Sequence, residues 1–315
     1  MTSWQAHVVR RTGVAFVRAT RSSGGGEPTI DDLPRIRAGM EKAAGRMRLH
    51  RETIVGETNL NGIPAERITT PRSVSDRAVL YLHGGAYVLC SPRTHRGLAS
   101  AVAFASHSQA WVIEYRLAPE HPYPAALQDG LRAWDELAQR FAPERIAIVG
   151  DSAGGGLAVQ LLVALRDRGG PLPGCAALMS PWVDLSGSGP TMWERNARDP
   201  WLPAELMHLP AQAYAGDLDV ADPRVSPLFA DLRGLPPLLV HCGTDEIVHD
   251  DATRLVERAK AAGVDATIGI WPGMFHVFQA FPGIPERRRA LREIGGFIRR
   301  HVPDSRAVAP RRLVG

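Results

Sequence analysis

Ser152 lies in Gly150-Asp151-Ser152-Ala153-Gly154, between a β-like run, Arg145-Ile-Ala-Ile-Val, and a helix-like run, Leu157-Ala-Val-Gln-Leu-Leu. Gly-x-Ser-x-Gly between a strand and a helix predicts a sharp turn that exposes the hydroxyl at a helix N-terminus, where backbone N–H groups favour developing negative charge. The glycines have a steric reason: the turn strains the central residue and presses neighbouring chains together, so side chains at 150 and 154 would collide. The pattern alone is common in glycine-rich turns, and it is the strand–turn–helix context that points to a nucleophile attacking a carbonyl. A phosphate-binding loop is excluded, because no Lys follows these glycines at the needed position and no Gly-x-Gly-x-x-Gly opens the first strand–helix turn.

Such an attack needs donors for an oxyanion, a general base, and an acid that orients the base. Leu80-Tyr81-Leu82-His83-Gly84-Gly85-Ala86-Tyr87 closes the third expected strand. A His-Gly-Gly loop there offers amides from the stretch Gly84, Gly85 and Ala86, the last two foremost, with Ala153 beside the nucleophile as a further donor. Of 11 histidines, His276 in Trp271-Pro-Gly-Met-Phe-His-Val-Phe follows the last expected strand, at the sheet edge where Ser152 also lies, and is the expected base. His121 and His249 are alternatives in principle; His83 is expected to hold its loop, and His241 falls inside a buried strand. For the acid, the segment after the penultimate strand offers Asp245, Glu246, Asp250 and Asp251, of which the last two read better as caps of the following helix. The order Ser, acid, His is that of α/β-hydrolases and of neither protease order.

The elements that must position these groups are short β-rich runs at 52–58, 64–69, 78–82, 111–115, 145–149, 176–179, 238–241 and 266–271, the first two a hairpin around Asn61-Gly62. Helical stretches at about 95–107, 123–140, 153–168, 247–262 and 285–301 alternate with the later runs. This alternation predicts an α/β fold with a mostly parallel, doubly wound sheet of about eight strands. Residues 184–225 break the rhythm with Pro190, Pro200, Pro203 and Pro210 and no convincing strand, and read as an insertion. Residues 1–50 read as two helices joined by Ser22-Ser-Gly-Gly-Gly, 51–302 as the catalytic domain, and 303–315 as a flexible tail.

The 315 residues are 44% hydrophobic and 22% charged, which is an ordinary globular composition. A net charge of +4, concentrated near the two ends, does not imply nucleic acid. No run reaches the roughly 18 apolar residues of a spanning helix, and Gly13 to Val17 is too short for a signal core, so no membrane role is expected. Cys90, Cys175 and Cys242 form neither a Cys-x-x-Cys nor a zinc-ligand cluster; a reducing, cytoplasmic setting without metal or cofactor is expected.

Taken together, the motifs over about residues 76–300 resemble the hormone-sensitive-lipase group of bacterial esterases in the α/β-hydrolase superfamily. The resemblance rests on His83-Gly84-Gly85, Tyr115-Arg-Leu-Ala-Pro-Glu-His-Pro-Tyr-Pro, Gly150-Asp-Ser-Ala-Gly-Gly, Ser180-Pro-Trp-Val-Asp-Leu and Met274-Phe-His-Val-Phe. It implies a serine carboxylesterase acting on small, short- to medium-chain esters, and it leaves room for a homodimer. The alternatives are a lactone or amide hydrolase with the same triad, or a non-catalytic small-molecule receptor on the same fold. Two departures stand out. Ala86 replaces the third glycine of the family's His-Gly-Gly-Gly, which leaves the amide usable if its φ is negative. Laying the family's Asp-Pro-Leu-x-Asp-Glu on this chain puts Glu246, not Asp245, at the triad position, an interval of 30 residues before His276. The resemblance also implies a helical cap made from the N-terminal helices and the 184–225 insertion, with Trp4, Phe16, Trp193, Trp201, Met207 and Tyr214 as candidate pocket residues. Arg116, Glu120 and Asp184 are expected to fix loops by ion pairs.

Overall fold

The computed structural model describes residues 2–9, 29–45, 49 and 52–303. The 22–26 linker, Phe16 and the tail past 303 lie outside the described residues. Strands β1 (Ile54–Leu60), β2 (Ile63–Thr69), β3 (Ala78–Leu82), β4 (Gln109–Ile113), β5 (Ile146–Asp151), β6 (Cys175–Met179), β7 (Leu238–Gly243) and β8 (Ala266–Trp271) form one sheet in the order β1-β2-β4-β3-β5-β6-β7-β8. β1 with β2 and β2 with β4 are antiparallel; every other pairing is parallel. The expected elements are therefore present, with ends moved by one to three residues.

Strands β3 to β7 are buried at every residue, as parallel strands covered on both faces must be. Alternation along the chain divides their side chains between two layers. Leu80, Leu82, Ile146 and Ile148 pack with helices α3 (Ala125–Arg140) and α4 (Ala153–Asp167). Val79, Tyr81, Ala147 and Val149 pack with α2 (Pro92–Ser106) and α8 (Pro285–His301). Each fully buried Leu or Val contributes about 1.5–3 kcal/mol. No described helix is long and apolar enough to cross a membrane.

From β3 the chain first steps to β4 on one side, and later returns to β5 on the other. Loops leaving the C-terminal ends of β3 and β5 therefore diverge, and this reversal of strand order opens the crevice in which open α/β sheets bind ligands. Leu82 pairs with Gly150 at that edge, so the loop after β3 and the turn after β5 start side by side.

Among the described residues, the insertion between β6 and β7 holds only helical pieces: α5 (Thr191–Glu194), a single turn at Ala204–Leu206, and α6 (His208–Ala215). Its root is tied to α7 (His249–Ala261). Asp251 Oδ2 accepts the N–H groups of Val183 and Asp184, both at 2.8 Å, and Asp250 Oδ2 accepts that of Thr191 at 2.9 Å. This corrects the reading of Asp250 and Asp251 as caps of their own helix. That helix starts only at His249, so both carboxylates lie inside its first turn and satisfy amides of the insertion instead. Farther along, Tyr214 of α6 stacks on Tyr87 at 3.6 Å, and its hydroxyl donates to Gln160 of α4.

Arg116 pairs with Asp129 at 2.8 Å and Asp184 with Arg254 at 2.9 Å. Glu120 pairs with Arg37 of α1 (Leu33–Ala44), which also donates to the carbonyls of Val88 and Ala118 and so clamps that helix onto the loops after β3 and β4. All three expected loop-fixing residues are thus in ion pairs.

Candidate active site

Ser152 follows β5 with φ 53° and ψ −124°, a backbone conformation that costs a non-glycine residue about 1–3 kcal/mol and persists only where its surroundings impose it. Here they do. Its N–H donates to Met179 O at 2.9 Å, and its carbonyl accepts the N–H groups of Gly155, Gly156 and Trp182. A Cβ at Gly150 would collide with the backbone of Gly154, and one at Gly154 with the carbonyl of Leu82, so glycine at both positions is what lets the elbow close.

His276 leaves the end of β8 and presents Nε2 to Ser152 Oγ at 2.9 Å. Its Nδ1 meets Glu246 Oε2 at 2.9 Å. A carboxylate can only accept, so Nδ1 carries the proton and Nε2 in the neutral ring is free to accept from the serine hydroxyl. Burial pulls the His276 imidazole down, but the hydrogen bond and charge of Glu246, with the charges of Asp199 and Asp151, outweigh it and hold the ring above its ordinary range. The other oxygen, Glu246 Oε1, accepts from Gly243 N–H and from Ser180 Oγ at 3.1 Å. Asp245 does not face His276: its amide donates to Met274 O, and its carboxylate accepts from Thr244 Oγ1.

The loop after β3 turns its amides by gripping its carbonyls. In a trans peptide the C=O of one residue and the N–H of the next point in opposite directions. Tyr115 OH binds His83 O at 2.7 Å, His83 Nδ1–H binds Gly84 O at 2.7 Å, and the amides of Val88 and Leu89 bind Gly85 O. These three contacts orient the amides of Gly84, Gly85 and Ala86, as the grip on Ser152 O orients that of Ala153. Among the described residues no backbone carbonyl takes any of these four amides. A Cβ at Gly84 would strike Asp151 and the Cβ of Ser152, which places this loop directly against the nucleophile.

Ala86 does not meet the condition of a negative φ, but its N–H is aimed by the grip on the Gly85 carbonyl of the same peptide plane, so the amide remains a donor. Its φ is 53°, not negative, within a run that continues through Gly85 at 119° and Tyr87 at 64°. The turn that engages the Gly85 carbonyl requires left-handed backbone here, and alanine occupies it at a cost of about 1–2 kcal/mol that glycine would avoid.

Behind the loop, Asp151 accepts from Tyr81 OH at 2.7 Å and faces His95 Nε2 at 3.3 Å. Burial alone would raise the Asp151 carboxyl; the charge of His95 and the hydrogen bonds from His95 and Tyr81 hold it below its ordinary value. Burial, followed by the charge of His95, pushes His83 down to about 3, so its ring stays neutral while stacked on Tyr115. His83 thus holds its loop, as expected; His241 and His249 lie in or beside β7, and His121 is exposed.

Three neighbours of the site escaped the sequence reading: Ser180, Asp199 and His95. Ser180 stood within the quoted Ser-Pro-Trp-Val-Asp-Leu run, but nothing local showed that its hydroxyl would join the acid to Val277 N–H. Asp199, deep in the insertion, accepts the amides of Trp201, Leu202 and Ile247, the last directly after Glu246. Of the candidate pocket residues, Met207 and Tyr214 are buried and Trp201 is half-buried, whereas Trp4 and Trp193 are exposed.

A family model described as the α/β-hydrolase fold matches residues 79–280. An acetyl-hydrolase of Streptomyces hygroscopicus is 43% identical over 231 residues, covering 73% of this chain and 77% of that protein. An esterase of Acinetobacter venetianus is 37% identical, covering 76% and 79%. The crystal structure of an esterase from the bacterial hormone-sensitive lipase family superposes with a TM-score of 0.87 at 40% identity, over 96% of this chain and 100% of that one. Sequence motifs, sheet order and relatives agree, and the chain belongs to the α/β-hydrolase fold family, in its hormone-sensitive-lipase group of bacterial esterases.

Proposed function

We propose that the protein is a serine carboxylesterase that hydrolyses short- to medium-chain esters through an acyl-enzyme. The observation that carries this reading is the continuous chain Ser152 Oγ, His276 Nε2, His276 Nδ1, Glu246 Oε2, with both links at 2.9 Å. In this mechanism Ser152 attacks the ester carbonyl while His276 takes its proton, and Glu246 keeps the imidazole in the accepting tautomer. The amides of Gly84, Gly85, Ala86 and Ala153 are the donors for the oxyanion. His276 returns the proton to the leaving alcohol, and a water molecule activated by the same imidazole then releases the acid. The α1 helix and the 184–225 insertion serve as the cap, supported by the Arg37 clamp and the Asp251 tether. A reducing compartment fits the three free thiols, Cys90, Cys175 and Cys242.

Hydrolysis of p-nitrophenyl esters from acetate to palmitate tests the reading. Rates that peak at or below about the C8 ester are expected; a peak at palmitate, or no turnover by folded protein, sinks it.

A pH prediction follows from Asp199. Burial pushes its carboxyl up to about 6, against the pull of the His276 charge, so above that pH it is ionised and favours protonated His276. Asp199→Asn keeps an acceptor oxygen but removes the charge, so the neutral base persists to lower pH. The acid limb of kcat/KM is therefore expected to move to lower pH, and a limb that stays put or moves up contradicts the coupling.

A further inference from the structure

Between α2 and α8, on the face of the sheet opposite α4, lies a groove of about 450 Å³ that shares no lining residue with the Ser152 site. Its floor is apolar, formed by Ala101, Phe104 and Leu291. Its rim carries five guanidiniums, from Arg72, Arg287, Arg288, Arg292 and Arg299, and no carboxylate lines it. We propose that this groove binds a single-chain anionic amphiphile, with the alkyl chain on the floor and the carboxylate, phosphate or sulfate head among the arginines.

The charge pattern of the groove is one-sided. Many other arginines pair with acids, as in Arg140 with Glu136, Arg168 with Asp135, Arg224 with Asp222 and Arg233 with Asp231, while Arg132 and Arg195 donate to backbone carbonyls. Among the described residues none of the five rim arginines has a carboxylate within ion-pair distance. Two of them are instead fixed in place by backbone carbonyls: Arg287 Nε donates to Gln279 O at 2.7 Å, and Arg299 donates to Ala105 O. Arg72 lies over the Phe104 ring at 4.2 Å, so a cation is held flat against the apolar floor. Burial, and then the neighbouring charge of Arg288, lower the Arg287 guanidinium from its ordinary value. Arginine forks match planar oxyanions in two-point contact, and an alkyl chain takes the remaining apolar surface out of water.

The volume falls in the range of about 300–1,000 Å³ typical of small-molecule sites. A bilayer surface fits less well, because it would need large apolar side chains projecting between the cations. The exposed large apolar residues, among them Trp4, Trp193 and Ile270, do not line the groove.

Titration calorimetry with sodium octanoate tests the proposal on the full chain, with 1-octanol, inorganic phosphate and phosphatidylglycerol vesicles as comparison probes. Arg288 and Arg292 are exposed, so the double variant Arg288→Ala, Arg292→Ala is expected to keep its fold, checked by thermal melting. Saturable octanoate binding is expected that weakens about tenfold or more in the double variant and falls steeply on adding salt to about 0.5 M. Binding of 1-octanol or phosphate is expected to be at least about tenfold weaker, since each offers only half of the contacts. Octanoate binding unchanged in the double variant belongs to another site and overturns the proposal. So does absence of saturation, equal binding of octanol or phosphate, or binding to vesicles alone. None of these outcomes depends on turnover at Ser152.

Discussion

Ser152→Ala is expected to lower kcat/KM on p-nitrophenyl butyrate by about 10⁴-fold or more, with little change in melting temperature, because it removes the reacting atom and leaves its supports in place. The elbow is held by backbone: the Ser152 N–H on Met179 O, and the Ser152 carbonyl under three amides. Alanine keeps each of these bonds and loses only the oxygen facing His276 Nε2. His276→Ala is expected to fall to a similar floor, because the two residues act as one unit and their losses do not add. Steady-state kinetics on both variants, with circular dichroism for the fold, decides the matter. Loss of less than about tenfold in either would remove Ser152 or His276 from the chemistry.

Glu246→Gln is expected to cost about 10³–10⁴-fold in kcat although it changes the size of the side chain hardly at all. If the new NH₂ takes the place of Oε2, it faces His276 Nδ1, which must then accept, so the ring proton moves to Nε2 and blocks acceptance from Ser152. If the amide turns over, the NH₂ confronts Ser180 Oγ and Gly243 N–H, both of which now donate to Oε1. Neither orientation satisfies every partner. Asp245→Asn, which leaves the Glu246 contacts intact, is expected to stay within a few-fold of the parent. The reverse ranking, measured side by side on one substrate, would transfer the orienting role to Asp245.

Ser152 and His276 were legible as candidates because each announces itself locally, whereas Glu246 was singled out among four acids only by the family resemblance. Gly150 and Gly154 flank a serine between an apolar run and a helix, and His276 follows the last strand. The alternation of runs from Ala78 onward fixes a parallel sheet, and a parallel sheet brings its C-terminal loops to one edge. What stayed hidden depends on contacts across long stretches of chain. Asp199 meets Ile247 48 residues away, and Ser180 meets Glu246 66 residues away. No periodicity records such meetings. Asp250 and Asp251 show the same limit from the other side: acids near a helix start suggest capping, but a competing set of unsatisfied amides at 183, 184 and 191 takes them instead. The positive φ of Ala86 was hidden because alanine disfavours it, and only the closure of the turn over Gly85 O imposes it.

The stacking of Tyr214 on Tyr87, with the Tyr214 hydroxyl on Gln160, has a bearing on how molecules enter and leave. Tyr87 continues the loop that faces Ser152, and Gln160 belongs to the helix that Ser152 begins, so α6 is fastened to the same rigid frame as the nucleophile. A swing of the whole insertion as one lid would have to break a buried ring stack and a buried hydrogen bond together. Opening of the site by such a swing is therefore disfavoured.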